Sequence, residues 1–269
     1  MLGPCAAFLA AYWLMEGPPP FPPVGSMQKL PYLIALAVVA GVALDAAGAG
    51  RTAVKAMAAL LPTVAILWLA ERTLLAGPDV FFVLRLLVLW LAGVIVLWLL
   101  ENAARTPATR GDHAVAGAAT EAKGGLHAAA LLMVAVFATA AVSFFGAFSG
   151  MALLIIPIGA GLGAFVLVAY LLFVASGRTM AFGAIGVIGL GGTWLSGIYV
   201  AALYGGNVDK VALAMLAAIF VADLFARRVR LGAGIGARIF EPLLYGVIII
   251  LPAVAAAGLA FASYDTSPG

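Results

Sequence analysis

From Val80 to Leu100 the chain reads VFFVLRLLVLWLAGVIVLWLL, an apolar run broken by one charge, Arg85. Runs of this kind recur along the whole length, and they dictate the solvent. A spanning helix needs ~20 mostly apolar residues, at ~1.5 Å each, to cross a hydrocarbon core of ~30 Å. With 65% hydrophobic and 9% charged residues among 269, the chain has too little polar surface to face water on all sides. The bilayer takes that place. Backbone groups in lipid must be satisfied internally, which leaves helices or closed barrels. Barrel strands alternate apolar and polar residues over ~10 positions, and these runs are solid. The expected fold class is all-α, a polytopic transmembrane helix bundle.

Hydrophobic segments fall at 2–16, 31–48, 54–76, 80–100, 127–148, 151–175, 180–204, 208–226 and 240–262. This predicts about nine spans, or eight if the first segment does not cross. Turn chemistry separates them: Pro18 to Pro23, Gly48 to Gly50, Gly77-Pro78-Asp79, Ser149-Gly150 and Gly205-Gly206-Asn207. The stretch ENAARTPATRGDHAVAGAATEAKGG, Glu101 to Gly125, is too long for a tight turn and too poor in large apolar residues to pack. A flexible cytoplasmic loop is expected over 101–126. It divides four helices in 1–100 from five in 127–262, within one integral membrane domain covering 1–269.

Alternating the spans from an inside N-terminus sorts the basic residues. Arg51, Lys55, Arg105, Arg110, Lys123, Arg178, Arg227, Arg228, Arg230 and Arg238 fall inside; Lys29, Arg72 and Lys210 fall outside. Cytoplasmic loops carry the excess of Lys and Arg, so the split orients the chain with its C-terminus outside. Dropping the first segment leaves every loop on its side and moves only the N-terminus. That segment lacks a basic leader, and Glu16 and a proline run follow it in place of a small-residue cleavage site. It is expected to be retained, although its apolar length is short for a span. The net charge of +3 is read as basic loops facing anionic headgroups rather than as nucleic-acid binding. The single cysteine, Cys5, excludes an intramolecular disulfide and any multi-cysteine metal site.

The polar residues inside the spans are the candidates for function. Glu71 lies near the outer end of the third segment and Arg85 near the outer start of the fourth, which places them at similar depth on neighbouring antiparallel helices. An intramembrane ion pair is expected, because an isolated arginine in lipid is costly. It reads either as a joint between two helices or as a gate or anion-binding group. Asp223 and Arg227 have i,i+4 spacing and suit an interfacial pair. Glu241 suits the first turn of a helix, where a carboxylate meets the dipole. Gly159, Gly161 and Gly163 follow Pro157 in the sixth segment, and Gly183, Gly186, Gly189, Gly191 and Gly192 crowd the seventh. Small residues let membrane helices approach closely, and glycine with proline also marks the broken helices of carriers. Thr193, Ser196 and Tyr199 follow these glycines at three-residue spacing, so they could line a cavity. The opposite expectation is close packing, with hydroxyls bonded back to carbonyls one turn earlier.

The segment MEGPPPFPPV, Met15 to Val24, cannot be helical through its prolines and reads as a rigid connector or a docking strip. With QKLPYL, Gln28 to Leu33, opening the next helix and the short Ser149-Gly150 turn, it resembles an E-G-x-P-P-F-P-P element in a group of uncharacterised bacterial multi-pass membrane proteins. The resemblance implies a bacterial inner-membrane location and lends no activity.

No catalytic constellation is visible. His113 and His127 are both outside mid-span, which argues against intramembrane haem ligation and a Ser–His dyad. Neither G-x-x-x-x-G-K-[ST] nor H-E-x-x-H occurs. No cofactor or metal is expected, and the chain is read as not an enzyme. Two function classes remain: a small-solute carrier or channel, ranked first, and a non-catalytic accessory or assembly subunit. Expected partners are the lipid bilayer and either a membrane protein or a second copy, with no nucleic acid.

Overall fold

The computed structural model describes residues 2–105, 115–176, 180–228 and 235–265, and their side chains except at 115–124, 235, 237, 238 and 265. The described residues are helical almost throughout. In order they form α1 (Leu2–Glu16), α2 (Ser26–Ala46), α3 (Arg51–Leu75), α4 (Val80–Ala104), α5 (Val115–Phe145) and α6 (Ser149–Ser176). A π-helical turn, Ile185–Leu190, then leads into α7 (Gly191–Tyr204), followed by α8 (Lys210–Ala226) and α9 (Ile235–Asp265). Seven stretches among the described residues are long and apolar enough to cross a membrane: those of α2 to α6, the π turn with α7, and α9. The remaining two are shorter. With 15 residues α1 rises about 22 Å, and with 17 residues α8 rises about 25 Å.

Local chemistry starts these helices where the turns end. The Gln28 side chain accepts from the Val24 and Gly25 amides at 2.9 and 3.0 Å and so closes the first turn of α2. Asp79 accepts from Phe82 N at 2.6 Å ahead of α4, and Asp209 accepts from Val211 N and Ala212 N ahead of α8. These carboxylates satisfy amides that have no partner within the helix. The seventh span is capped from a distance. Both Asp45 oxygens, on α2, accept from the Ala184 and Ile185 amides at 2.7 and 2.9 Å. Gly183 permits this with a φ of +64°, and a Cβ there would lie 2.8 Å from the Asp45 carboxylate.

Contacts between helix ends trace a serpentine. At one end, called here the proline-loop end, Lys29 of α2 meets Glu71 of α3, Tyr204 of α7 meets the Leu69 carbonyl, and Ser263 of α9 meets Asp209 before α8. At the other, the arginine-rich end, Arg51 of α3 meets Glu101 of α4, and Arg227 of α8 meets the Asn102 carbonyl. The proline segment folds back on α2, where the Tyr32 hydroxyl donates to Pro20 O at 2.9 Å and its ring lies between Phe21 and Trp68.

The core is built around the seventh span. Of an 18-residue stretch there, 89% of residues are buried, against 28% in α4 and in α9. Gly192 abuts Leu61 of α3 and Ala37 of α2, Gly191 abuts Leu97 and Leu100 of α4, and Gly197 abuts Met151 and Ile155 of α6. Trp194 donates to Thr139 of α5 at 2.8 Å and packs on Phe220 of α8. The seventh span is thus enclosed by α2 to α6 and α8.

Of the two readings of the Pro157 glycines, the broken helix is not seen: α6 runs unbroken from Ser149 to Ser176, and the irregular backbone is the π turn before α7. Its glycines let Gly41 of α2 approach so closely that a Cβ would sit 2.8 Å from Ile185 Cα. Helix also enters the 101–126 stretch that is expected to be a flexible loop. Glu101 to Ala104 complete α4 and Val115 onward opens α5, with 106–114 outside the described residues. Alanine supplies the reason, since it has the highest intrinsic helix propensity and dominates VAGAATEA.

Candidate functional site

The expected pair of Glu71 and Arg85 does not form. Glu71 sits instead 3.1 Å from Lys29 Nζ, and the same ammonium donates to Trp68 O at 2.6 Å. Lys29 is buried while half of the Glu71 side chain is exposed. Arg85 instead donates through Nη2 to the Ala202 carbonyl of α7. Equal depth on adjacent helices was legible in the sequence, but the rotation of each helix about its axis was not. Lys29, in the first turn of α2, reaches this face and takes Glu71 as its partner.

Thr193, Ser196 and Tyr199 do not converge on a polar cavity. Thr193 Oγ1 donates to Gly189 O at 2.7 Å and Ser196 Oγ to Gly192 O at 2.8 Å, each one turn earlier. Both are buried. Cys5 of α1 lies 3.9 Å from Thr193 Oγ1. Tyr199 reaches out to α4, where its hydroxyl donates to Leu89 O at 3.3 Å. Gly93 makes room for it, since a Cβ there would collide with the phenol.

Tyr199 does line a chamber of about 360 Å³ between α4, α7 and α8. Arg85 and Lys210 stand at its proline-loop end, and below them the walls are apolar, with Val96, Trp194 and Ala217 among them. A second pocket of about 210 Å³ opens at the arginine-rich end and is lined by Asp45, Glu101, Arg105, Phe182 and Val187. Glu101 is almost fully buried there, held between Arg105 Nε at 2.9 Å and Arg51 Nε at 3.4 Å.

No family model matches the chain, and no curated protein or solved structure matches it. Its chemistry therefore has to be read from its own groups.

A third polar cluster joins α4, α5, α8 and α9. Asp223 is fully buried and accepts from Arg227 Nε at 2.8 Å, as the i,i+4 spacing implied. It has a further partner that the spacing could not reveal: the Tyr245 hydroxyl of α9, at 2.7 Å. The Tyr245 ring stacks on His127 of α5 with centroids 4.2 Å apart, and Arg227 Nη1 donates to Asn102 O at 2.9 Å. Glu241 lies in the second turn of α9 rather than its first, because the helix starts earlier, at Ile235. Lys29, Asp45, Glu101 and Tyr245 thus hold the polar contacts that the sequence did not single out. The only prior signal for Glu101 was an acid closing a long apolar run.

Proposed function

We propose that this chain is a non-catalytic integral membrane subunit, an accessory or assembly component of the bacterial cytoplasmic membrane, rather than a solute carrier. The observation that carries this reading is the packing of the seventh span. A path for a polar solute needs lining groups, and here the hydroxyls of Thr193 and Ser196 are spent on their own helix. The neighbouring glycines are filled by Leu61, Ala37, Leu97 and Met151. Small residues at such contacts serve close helix approach. The carrier reading keeps one observation in its favour, the polar pocket around Asp45, Glu101 and Arg105, whose lining also includes apolar Val54 and Val187.

Purification of the tagged chain from its membrane in mild detergent tests the choice. A companion protein at fixed stoichiometry is the expected result. A monodisperse single protein that moves a solute across liposomes would overturn the reading.

We propose further that α1 and α8 also cross, giving nine spans, with the arginine-rich end in the cytoplasm and the C-terminus outside. The positive-inside distribution supports this orientation. In a Cys5→Ala background, an impermeant thiol reagent on whole cells should label Asn207→Cys and spare Ala47→Cys. Both positions are exposed in turns at opposite ends. The reverse pattern would invert the topology.

A further inference from the structure

The chamber between α4, α7 and α8 has the polarity of an amphiphile. Arg85, in the second turn of α4, and Lys210, the first residue of α8, stand together at its proline-loop end. They are close enough to feel each other's charge. Each donates to a neutral backbone carbonyl: Arg85 to Ala202 O, and Lys210 Nζ to Gly205 O. Among the described residues neither forms an ion pair with a carboxylate. A guanidinium has five N–H donors and an ammonium three, so donors remain on both. Asp209, next to Lys210, offsets part of this positive charge, and an anion between the two cations would take up the remaining donors.

Beneath the cations the wall descends about 16 Å along α4, from Arg85 to Val96. Its volume of about 360 Å³ is within the usual range for small-ligand sites. Val88 forms part of the lining and is itself 59% exposed, so the chamber opens sideways on the apolar flank of the bundle.

We propose that this chamber is a binding site for one anionic phospholipid. The phosphate bridges Arg85 and Lys210, and an acyl chain lies in the apolar space between α4 and α8. Charge complementarity at one end and an apolar wall below select this occupant over a soluble anion, which has no use for the wall. They also select it over a zwitterionic lipid, whose own cation would face two more. The site goes beyond the proposed accessory role and does not depend on it.

Native mass spectrometry of the full chain in neutral detergent tests the proposal, with phosphatidylglycerol and phosphatidylcholine of identical chains as probes. The expected result is preferential retention of one phosphatidylglycerol. Retention should fall roughly fivefold for each cation lost, the factor equivalent to ~1 kcal/mol per basic residue at an anionic lipid surface. Arg85→Gln with Lys210→Gln removes both cations, and Arg85→Lys should retain the lipid. Ala217→Phe fills the chamber with the cations intact and should also weaken retention. It carries the test if the double variant does not fold. Equal retention of the two lipids would overturn the proposal, as would indifference to Ala217→Phe. Full competition by inorganic phosphate would overturn it too, by identifying the site as one for a free anion.

Discussion

Replacement of Asp223 by alanine should be among the most damaging single changes in this chain, and the surrounding contacts set its size. The carboxylate is fully buried, accepts from the Arg227 guanidinium through both oxygens, and accepts from Tyr245. Removing one member of a buried pair costs ~3–5 kcal/mol, because the other charge stays behind uncompensated. Arg227 is 18% exposed and keeps its bond to Asn102 O, so part of its charge reaches the interface. That places the expected loss near the low end, about 3 kcal/mol. Tyr245→Phe removes one hydrogen bond to a charged acceptor, ~1.5–3 kcal/mol, but leaves the stack on His127. Asp223→Leu combined with Arg227→Leu should recover at least half of the single loss, since both desolvation costs vanish together. Equilibrium unfolding in mixed micelles, followed by tryptophan fluorescence, measures these three variants and the Asp223→Ala/Tyr245→Phe double variant. The Asp223→Ala and Tyr245→Phe losses should be coupled by about 1 kcal/mol or more. Strict additivity, or a loss below about 1 kcal/mol for Asp223→Ala, would refute the cluster as a tie between α8, α9 and α4.

The correction at the proline-loop end gives a second test: double-mutant cycles should show coupling between Lys29 and Glu71 and additivity, within ~0.5 kcal/mol, between Glu71 and Arg85. Gly41→Ala should destabilise the protein by ~1–3 kcal/mol, because its Cβ would sit 2.8 Å from Ile185 Cα, whereas Gly258→Ala meets open space and should stabilise α9 by up to ~1 kcal/mol. Thermal melts separate the two, and equal effects would mean that α2 and the π turn are not in contact. Asp209 is held below the usual carboxylate range, chiefly by the Ser263 hydroxyl and then by the Ala212 amide. A depressed native value adds stability above the ordinary carboxylate value, and that stability is lost as pH falls through the native value. The melting gap between wild type and Asp209→Asn, which preserves the cap, should therefore be widest near neutrality and close in acid. A gap independent of pH would remove the charge from the account.

Sequence carried the fold class because hydropathy is a sum over many residues and survives errors at any one. The apolar runs placed α2 to α4 and α6 within a few residues, and the turn glycines and prolines placed most of their ends. It carried local pairs for the same reason that i,i+4 spacing is geometry within one helix, as Asp223 and Arg227 show. It did not carry pairings between helices. Those depend on how each helix is rotated about its axis, and in lipid that rotation leaves little periodic trace, because every face is apolar. Lys29 with Glu71, Asp45 with the Ala184 amide, and Tyr245 with Asp223 are all contacts of this kind.

The distribution of those contacts bears on what the molecule does. Lys29, Glu71, Arg85, Asp209 and Lys210 gather at one end of the bundle, and Asp45, Arg51, Glu101, Arg105 and Arg227 at the other. Between them the seventh span is closed by aliphatic side chains and self-bonded hydroxyls. Charged groups at the ends fix helix order and register, where water and headgroups keep their cost low. Polar groups at the middle would cost more and are the ones that a translocating solute requires. This distribution of charge is what favours the proposed accessory reading over the carrier reading. The chamber under Arg85 and Lys210 fits the same division: its two cations stand at the proline-loop end, and its deeper lining, Val96 and Trp194 included, is apolar.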